Sequence, residues 1–150
     1  MRNLILKSIG FLLLTVVLVS CGEHDDVVYD PNTGQAFVFF SEDGSSIDFD
    51  QTMPETGSVE VQVAVSNLSS SARDVQLSIV AEETDATADQ YILETSLTIP
   101  ANEYFGTFTV SGVYDNLTTL RVNLVLIISS IEGDNPSISE VTHTVALKRV

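Results

Sequence analysis

The chain holds 150 residues, 21 acidic and 6 basic, for a formal charge of −15. That length accommodates one domain plus a processed segment, and the excess of acid excludes nucleic acid, whose phosphates need clustered Lys and Arg. The single cysteine excludes an internal disulfide and every multi-cysteine zinc site.

At the start of the chain, Arg2 and Lys7 lead into an apolar run from Ile9 to Val19, which Ser20 and Cys21 close. A basic head, a short apolar stretch and small residues at the cut are the layout of a secretory signal. The run is about half the roughly 20 residues of a spanning helix, and Glu23, Asp25 and Asp26 follow at once. Leu18, Val19, Ser20 and Cys21 resemble the lipobox of bacterial lipoproteins. The resemblance implies that residues 1–20 are removed as a signal peptide and that Cys21 carries lipid on its sulfur and its new amino group. Two or more acyl chains give stable anchoring where one is marginal. Two bases leave with the signal, so the mature chain of 130 residues carries 4 − 21 = −17. Gly22-Glu23-His24-Asp25-Asp26 resembles the export signal of Bacteroidota-type lipoproteins and implies an outer-membrane protein facing the cell surface, with periplasm-facing as the alternative. Residues 21–35 hold Pro31, Gly34 and acids without a sustained period, which reads as a lipidated tether.

Residues 36–150 alternate. Short strands are expected at Phe37 to Phe40 and at Ser96 to Ile99. From Ser58 to Ser66, Val59, Val61, Val63 and Val65 share a face. Val75, Leu77 and Ile79 do the same from Asp74 to Ala81. Tyr104, Gly106, Phe108 and Val110 alternate against Phe105, Thr107, Thr109 and Ser111. Leu120, Val122, Leu124, Leu126 and Ile128 form a further face, and Val141, His143, Val145 and Leu147 a last one. About seven strands of period two result, rich in β-branched and aromatic residues. The separators are turn-rich: Glu42 to Ser46, Pro54 to Gly57, Ser69 to Ser71, Pro100 to Glu103 and Glu132 to Pro136. One-sided apolar strands bury their faces most economically as an all-β antiparallel sandwich, and 130 residues suffice for a single core. Val125 and Ile127 break the alternation; a strand covered by neighbouring chain, or a surface awaiting a partner, produces that pattern.

Asp85-Ala86-Thr87-Ala88-Asp89-Gln90-Tyr91, Leu97-Thr98-Ile99-Pro100-Ala101-Asn102-Glu103 and Phe108-Thr109-Val110 resemble the Calx-beta motif, with Val75 to Val80 as the preceding strand. The likeness centres on residues 75–112 and extends loosely over 36–149. It is similar also to the Calx-beta-like domains of unknown function in Bacteroidota-type lipoproteins, and it implies an immunoglobulin-like Greek-key sandwich. Gln90 departs from the pattern, since the family's aspartate usually abuts its tyrosine. The acids that calcium-binding members carry after the strand are reduced here to Asp115.

Calcium takes six to eight oxygens, mostly carboxylates and carbonyls. Glu82, Glu83, Asp85 and Asp89 fall between two strands, and Asp115 joins them if its loop lies at the same end. These five are the candidate Ca²⁺ ligands; a solvated acidic loop is the competing explanation, and no spacing matches an EF-hand.

The inventory for catalysis is thin. Cys21 is committed to lipid, His24 lies in the tether, and His143 points with Val141 and Val145, as a core-edge residue does. No nucleophile elbow, phosphate loop or dinucleotide fingerprint is present, so no enzyme is expected. The sequence reads as a membrane-anchored, non-catalytic binding or scaffolding module, accessory to an outer-membrane uptake or adhesion system, with a protein or a glycan as partner. Tyr29, Tyr104, Phe105 and Tyr114 are its candidates for stacking on sugar rings. A calcium-dependent structural or adhesive domain is the alternative.

Overall fold

The computed structural model describes residues 36–50, 56–132 and 137–150. The expected signal peptide, the lipobox-like residues Leu18 to Cys21 and the expected tether fall outside the described residues, as does Tyr29.

Ten strands are present among the described residues: β1 (Phe37–Phe40), β2 (Gly44–Phe49), β3 (Thr56–Val65), β4 (Arg73–Ile79), β5 (Tyr91–Leu93), β6 (Ser96–Ile99), β7 (Phe105–Val113), β8 (Arg121–Ile131), β9 (Ser137–Ile138) and β10 (His143–Arg149), with one 3-10 turn at Tyr114–Asn116. They form two five-stranded sheets, in the orders β5-β7-β3-β1-β9 and β2-β10-β8-β4-β6. Odd strands build the first sheet and even strands the second, so every connection between described strands crosses from one sheet to the other. The ladders are antiparallel except at two edges, where β1 pairs β9 and β2 pairs β10 in parallel. The all-β sandwich expected from alternation is the observed fold.

The alternating apolar residues meet between the sheets. Val38, Phe40, Val61, Val63, Val65, Phe108 and Val110 of the first sheet pack on Ile47, Phe49, Val75, Leu77, Leu97, Ile99, Leu124, Leu126, Val145 and Leu147 of the second. Two glycines set the sheet separation. A Cβ at Gly106 would lie 2.5 Å from Leu97 Cδ1, and one at Gly112 would lie 2.7 Å from Phe49 Cζ. Inward positions of β8 run Val122, Leu124, Leu126, Ile128 and then Ile131 rather than Ser130. A register shift opposite Gln76 and Leu77 absorbs the extra residue, leaving Ser129 as a β-bulge. Asn102, at φ 63°, is the third residue of a turn closed by Glu103 N–H on the Pro100 carbonyl at 3.2 Å, a position that favours Asn or Gly.

Three strands escape the sequence reading. β2 begins at Gly44, inside the stretch expected to be a turn, because its parallel ladder with β10 satisfies a backbone whose first side chains signal a loop. β5 and β9 have three and two residues, too few to show a period. Thr56 and Gly57 likewise belong to β3 rather than to a turn. Tyr104, Leu120 and Val141 were expected on apolar faces and are exposed, Leu120 by 78%. Each precedes the first residue of its strand, so the pleat that would turn it inward has not begun. Val125 is buried and Ile127 half-buried, and the chain after β4 goes on pairing along β8: Val80 N–H donates to the Val125 carbonyl at 2.9 Å, and Asp85 N–H to the Asn123 carbonyl at 2.9 Å.

Candidate functional site

The outer face of the first sheet carries aromatic side chains where alternation normally places polar ones. Phe39 of β1 pairs with Ala64 of β3, and Ala64 pairs with Phe105 of β7, so the three form one row across the sheet. Two inter-strand spacings, about 10 Å, separate the ring-bearing positions. Ala64 faces outward yet is 3% exposed between them, while Phe39 and Phe105 remain 38% and 50% exposed. Phe37, one pleat along β1, is exposed on the same side, and the Tyr104 ring lies 6.4 Å from that of Phe105. β-Strand propensity places phenylalanine here without difficulty, but solvent exposure of several rings together has no structural return.

The next row is polar. β1 ends at Phe40, and its chain leaves for the second sheet through Ser41, Glu42 and Asp43. Ser41 N–H still donates to the Gln62 carbonyl at 3.0 Å, and Ser41 Oγ donates to Gln62 Oε1 at 2.9 Å. That second bond orients the amide, and no described residue accepts from Gln62 Nε2. Thr107 lies opposite Gln62 in register. Where β1 departs, a cleft of about 260 Å³ opens, lined by Ser41, Glu42, Ser45, Glu60, Gln62, Thr107 and His143.

His143 forms the inner wall of the cleft and is buried, as a core-edge residue. Its Nδ1 lies 2.7 Å from the Glu42 carbonyl, which only accepts, so Nδ1 carries a proton. Nε2 lies 3.0 Å from Ser45 Oγ, within hydrogen-bond reach. The ring also packs on Phe40 at 5.3 Å. Together these contacts pin the crossover between β1 and β2 and so shape the cleft.

The acidic residues expected to converge are dispersed. Among the described residues, no group of three or more His, Cys, Asp or Glu side chains is placed to hold a metal ion. Glu82 and Glu83 are exposed in a turn. Asp85 Oδ2 accepts from Asn123 Nδ2 at 3.4 Å, and Asp89 Oδ1 accepts from Thr87 Oγ1 at 2.6 Å. Asp115 does come to the same end as Asp89, because Asn116 Nδ2 donates to the Asp89 carbonyl. The residue that ties this loop is Gln90. It is buried, its Oε1 accepts from Thr87 N–H at 2.9 Å, and its Nε2 donates to the Asn116 carbonyl at 2.9 Å. The one departure from the Calx-beta spacing is thus the clasp between the loop and the 3-10 turn.

Of the aromatic candidates, Phe105 and Tyr104 lie on the exposed patch. Tyr114 is engaged instead, 5.7 Å from Phe49 and 4.4 Å beneath the Arg149 guanidinium. Phe37 and Phe39, exposed on the same face, were not among the aromatic candidates of the sequence reading. The signal was present, since Phe37-Val38-Phe39-Phe40 is too aromatic for a strand with one wet face.

No family model matches the sequence, and no curated protein matches it either. Solved structures do match. The apo-form Calx CBD1 domain is 11% identical, with a TM-score of 0.60, over 78% of this chain and 99% of that one. A protein from Bacteroides ovatus ATCC 8483, provisionally assigned to carbohydrate binding, is 14% identical, with a TM-score of 0.57, over 75% of this chain and 37% of that one. The calcium binding domain CBD12 of CALX1.1 is 14% identical, with a TM-score of 0.56, over 75% of this chain and 45% of that one. The chain therefore spans less than half the length of the last two. The likeness is one of fold, a Calx-beta-like β-sandwich.

Proposed function

We propose that this protein is a non-catalytic binding module, lipid-anchored through Cys21, which presents the outer face of its first sheet to a glycan. The observation that carries the reading is the aromatic row Phe39–Ala64–Phe105 abutting the polar row Ser41–Gln62–Thr107. A pyranose has an apolar C–H face and an equator of hydroxyls. The first suits the ring faces of an exposed aromatic platform, and the second suits oriented amide, hydroxyl and carboxylate groups at its edge. A charge of −17 on the mature chain favours a neutral or cationic glycan over an acidic one. The provisional assignment of the Bacteroides ovatus relative supports the same ligand class. The lipobox and the acidic tether support attachment to the outer membrane, facing the cell surface, as an accessory of an uptake or adhesion system.

Glycan-array binding by the mature chain, followed by titration of Phe39→Ala/Phe105→Ala, tests the reading. Wild type binds a neutral glycan and the double variant loses that binding with its fold intact; a blank array, or undiminished binding by the variant, rejects it. The anchor has its own test. Cys21→Ala is expected to leave the membrane fraction and to lose fatty-acid labelling, and retention of both would remove the lipoprotein reading.

A calcium-dependent domain is the second reading, supported by the calcium binding relative and by the Asn116 Nδ2 bond to the Asp89 carbonyl, which brings the turn holding Asp115 to the loop holding Asp89. Calorimetric titration with Ca²⁺ decides it, since absence of heat ends it.

A further inference from the structure

Only four bases belong to the mature chain, and one lies where a charge cannot stand alone. Arg73 opens β4, faces inward with Val75 and Leu77, and is 2% exposed. Its cross-strand neighbour is Ile99 of β6, an apolar side chain. Arg73 Nη2 donates to the Asn67 backbone carbonyl at 3.2 Å. Nε and Nη1 are buried without a partner, and so is Asn67 Oδ1 in the loop above them. Among the described residues no carboxylate reaches the guanidinium.

Arginine does not shed its proton inside a protein. Burying its charge is therefore stable only where a counter-charge and further hydrogen bonds complete the group. A water molecule would satisfy one of the orphaned atoms and leave the charge. An anion satisfies both requirements. The Asn67 amide adds to the argument, because rotating it by half a turn exchanges Oδ1 for Nδ2. The enclosure then presents donors only, on a positive group, and is unsuited to a cation.

We propose that this end of the sandwich is a binding site for a small monovalent inorganic anion, held by Arg73 Nε and Nη1 and the Asn67 side chain. With Arg73 itself only 2% exposed, the ligand is a compact ion such as chloride and a resident one. Its role is to fasten the Asn67 loop to β4 by neutralising the base beneath it. This site is independent of the glycan reading.

Two measurements on the mature chain test the proposal. In thermal melts at constant ionic strength, replacing gluconate by chloride raises the melting temperature by about 5 °C for each tenfold rise in chloride above its dissociation constant. Arg73→Met abolishes that dependence. Crystals soaked in bromide show an anomalous peak in hydrogen-bond contact with Arg73 Nε or Nη1. Equal chloride dependence in Arg73→Met, ordered water in place of bromide, or peaks confined to the surface (an adventitious ion only) overturns it. If Arg73→Met does not fold, the bromide map of the wild-type protein decides alone.

Discussion

Two regions of this molecule carry the side chains from which ligand sites are made, and the fold treats them in opposite ways. The loop from Glu82 to Asp89 is rich in carboxylates, yet its interactions are turned toward the protein. Asp85 meets Asn123, Asp89 meets Thr87, and Gln90 clasps the loop to the turn at Tyr114–Asn116. The row from Phe39 to Phe105 is assembled from three strands, and its rings are left facing solvent. A dense run of one residue type in sequence therefore marks composition, whereas the surface proposed for binding consists of side chains that the fold has brought together and left exposed.

Substitutions that separate stability from binding sharpen the contrast. The largest effect is expected from Phe39→Ala/Phe105→Ala: glycan affinity falls about 100-fold, as for loss of two central anchors. The same variant melts close to wild type, since half-exposed rings contribute little to the core. Gln90→Ala is the inverse case. Thr87 N–H and the Asn116 carbonyl lose their partner inside the loop, at a cost of about 2 kcal/mol, and calorimetry should record a melting temperature lower by about 8 °C with glycan affinity unchanged. If Gln90→Ala weakened the glycan as much as the double phenylalanine variant does, the division between the two regions would collapse. The smallest effect belongs to Glu82→Gln/Glu83→Gln. Both side chains are exposed, so unfolding in urea should shift by less than about 0.5 kcal/mol, and any calcium heat that survives the change assigns the ion elsewhere.

Much of the fold was legible because alternation is local. The stripes Val61-Val63-Val65, Val75-Leu77, Leu97-Ile99, Phe108-Val110, Leu124-Leu126 and Val145-Leu147 each announce a strand and its inward face, and all are buried. β2 was hidden because Gly44, Ser45 and Ser46 suit a turn as well as a strand, and only the parallel ladder with β10 selects between them. The candidate site was half legible. Phe105 and Tyr104 stood out as aromatics, but nothing near them in sequence points to Phe39 or Gln62.

The amino-acid sequence by itself determined the class of fold, the face that each long strand buries, the acidity of the chain and the resemblance of Leu18 to Cys21 to a lipobox. These follow from neighbours within a few residues, where side-chain period and residue chemistry act directly. The tertiary structure decided which strands pair, and with that the aromatic row, the cleft at the crossover, the dispersal of the acids and the burial of Arg73. The physical reason is the crossing pattern. Each described connection carries the chain to the opposite sheet, so no hairpin fixes a register locally, and every row of side chains is composed from segments that meet only when the core closes.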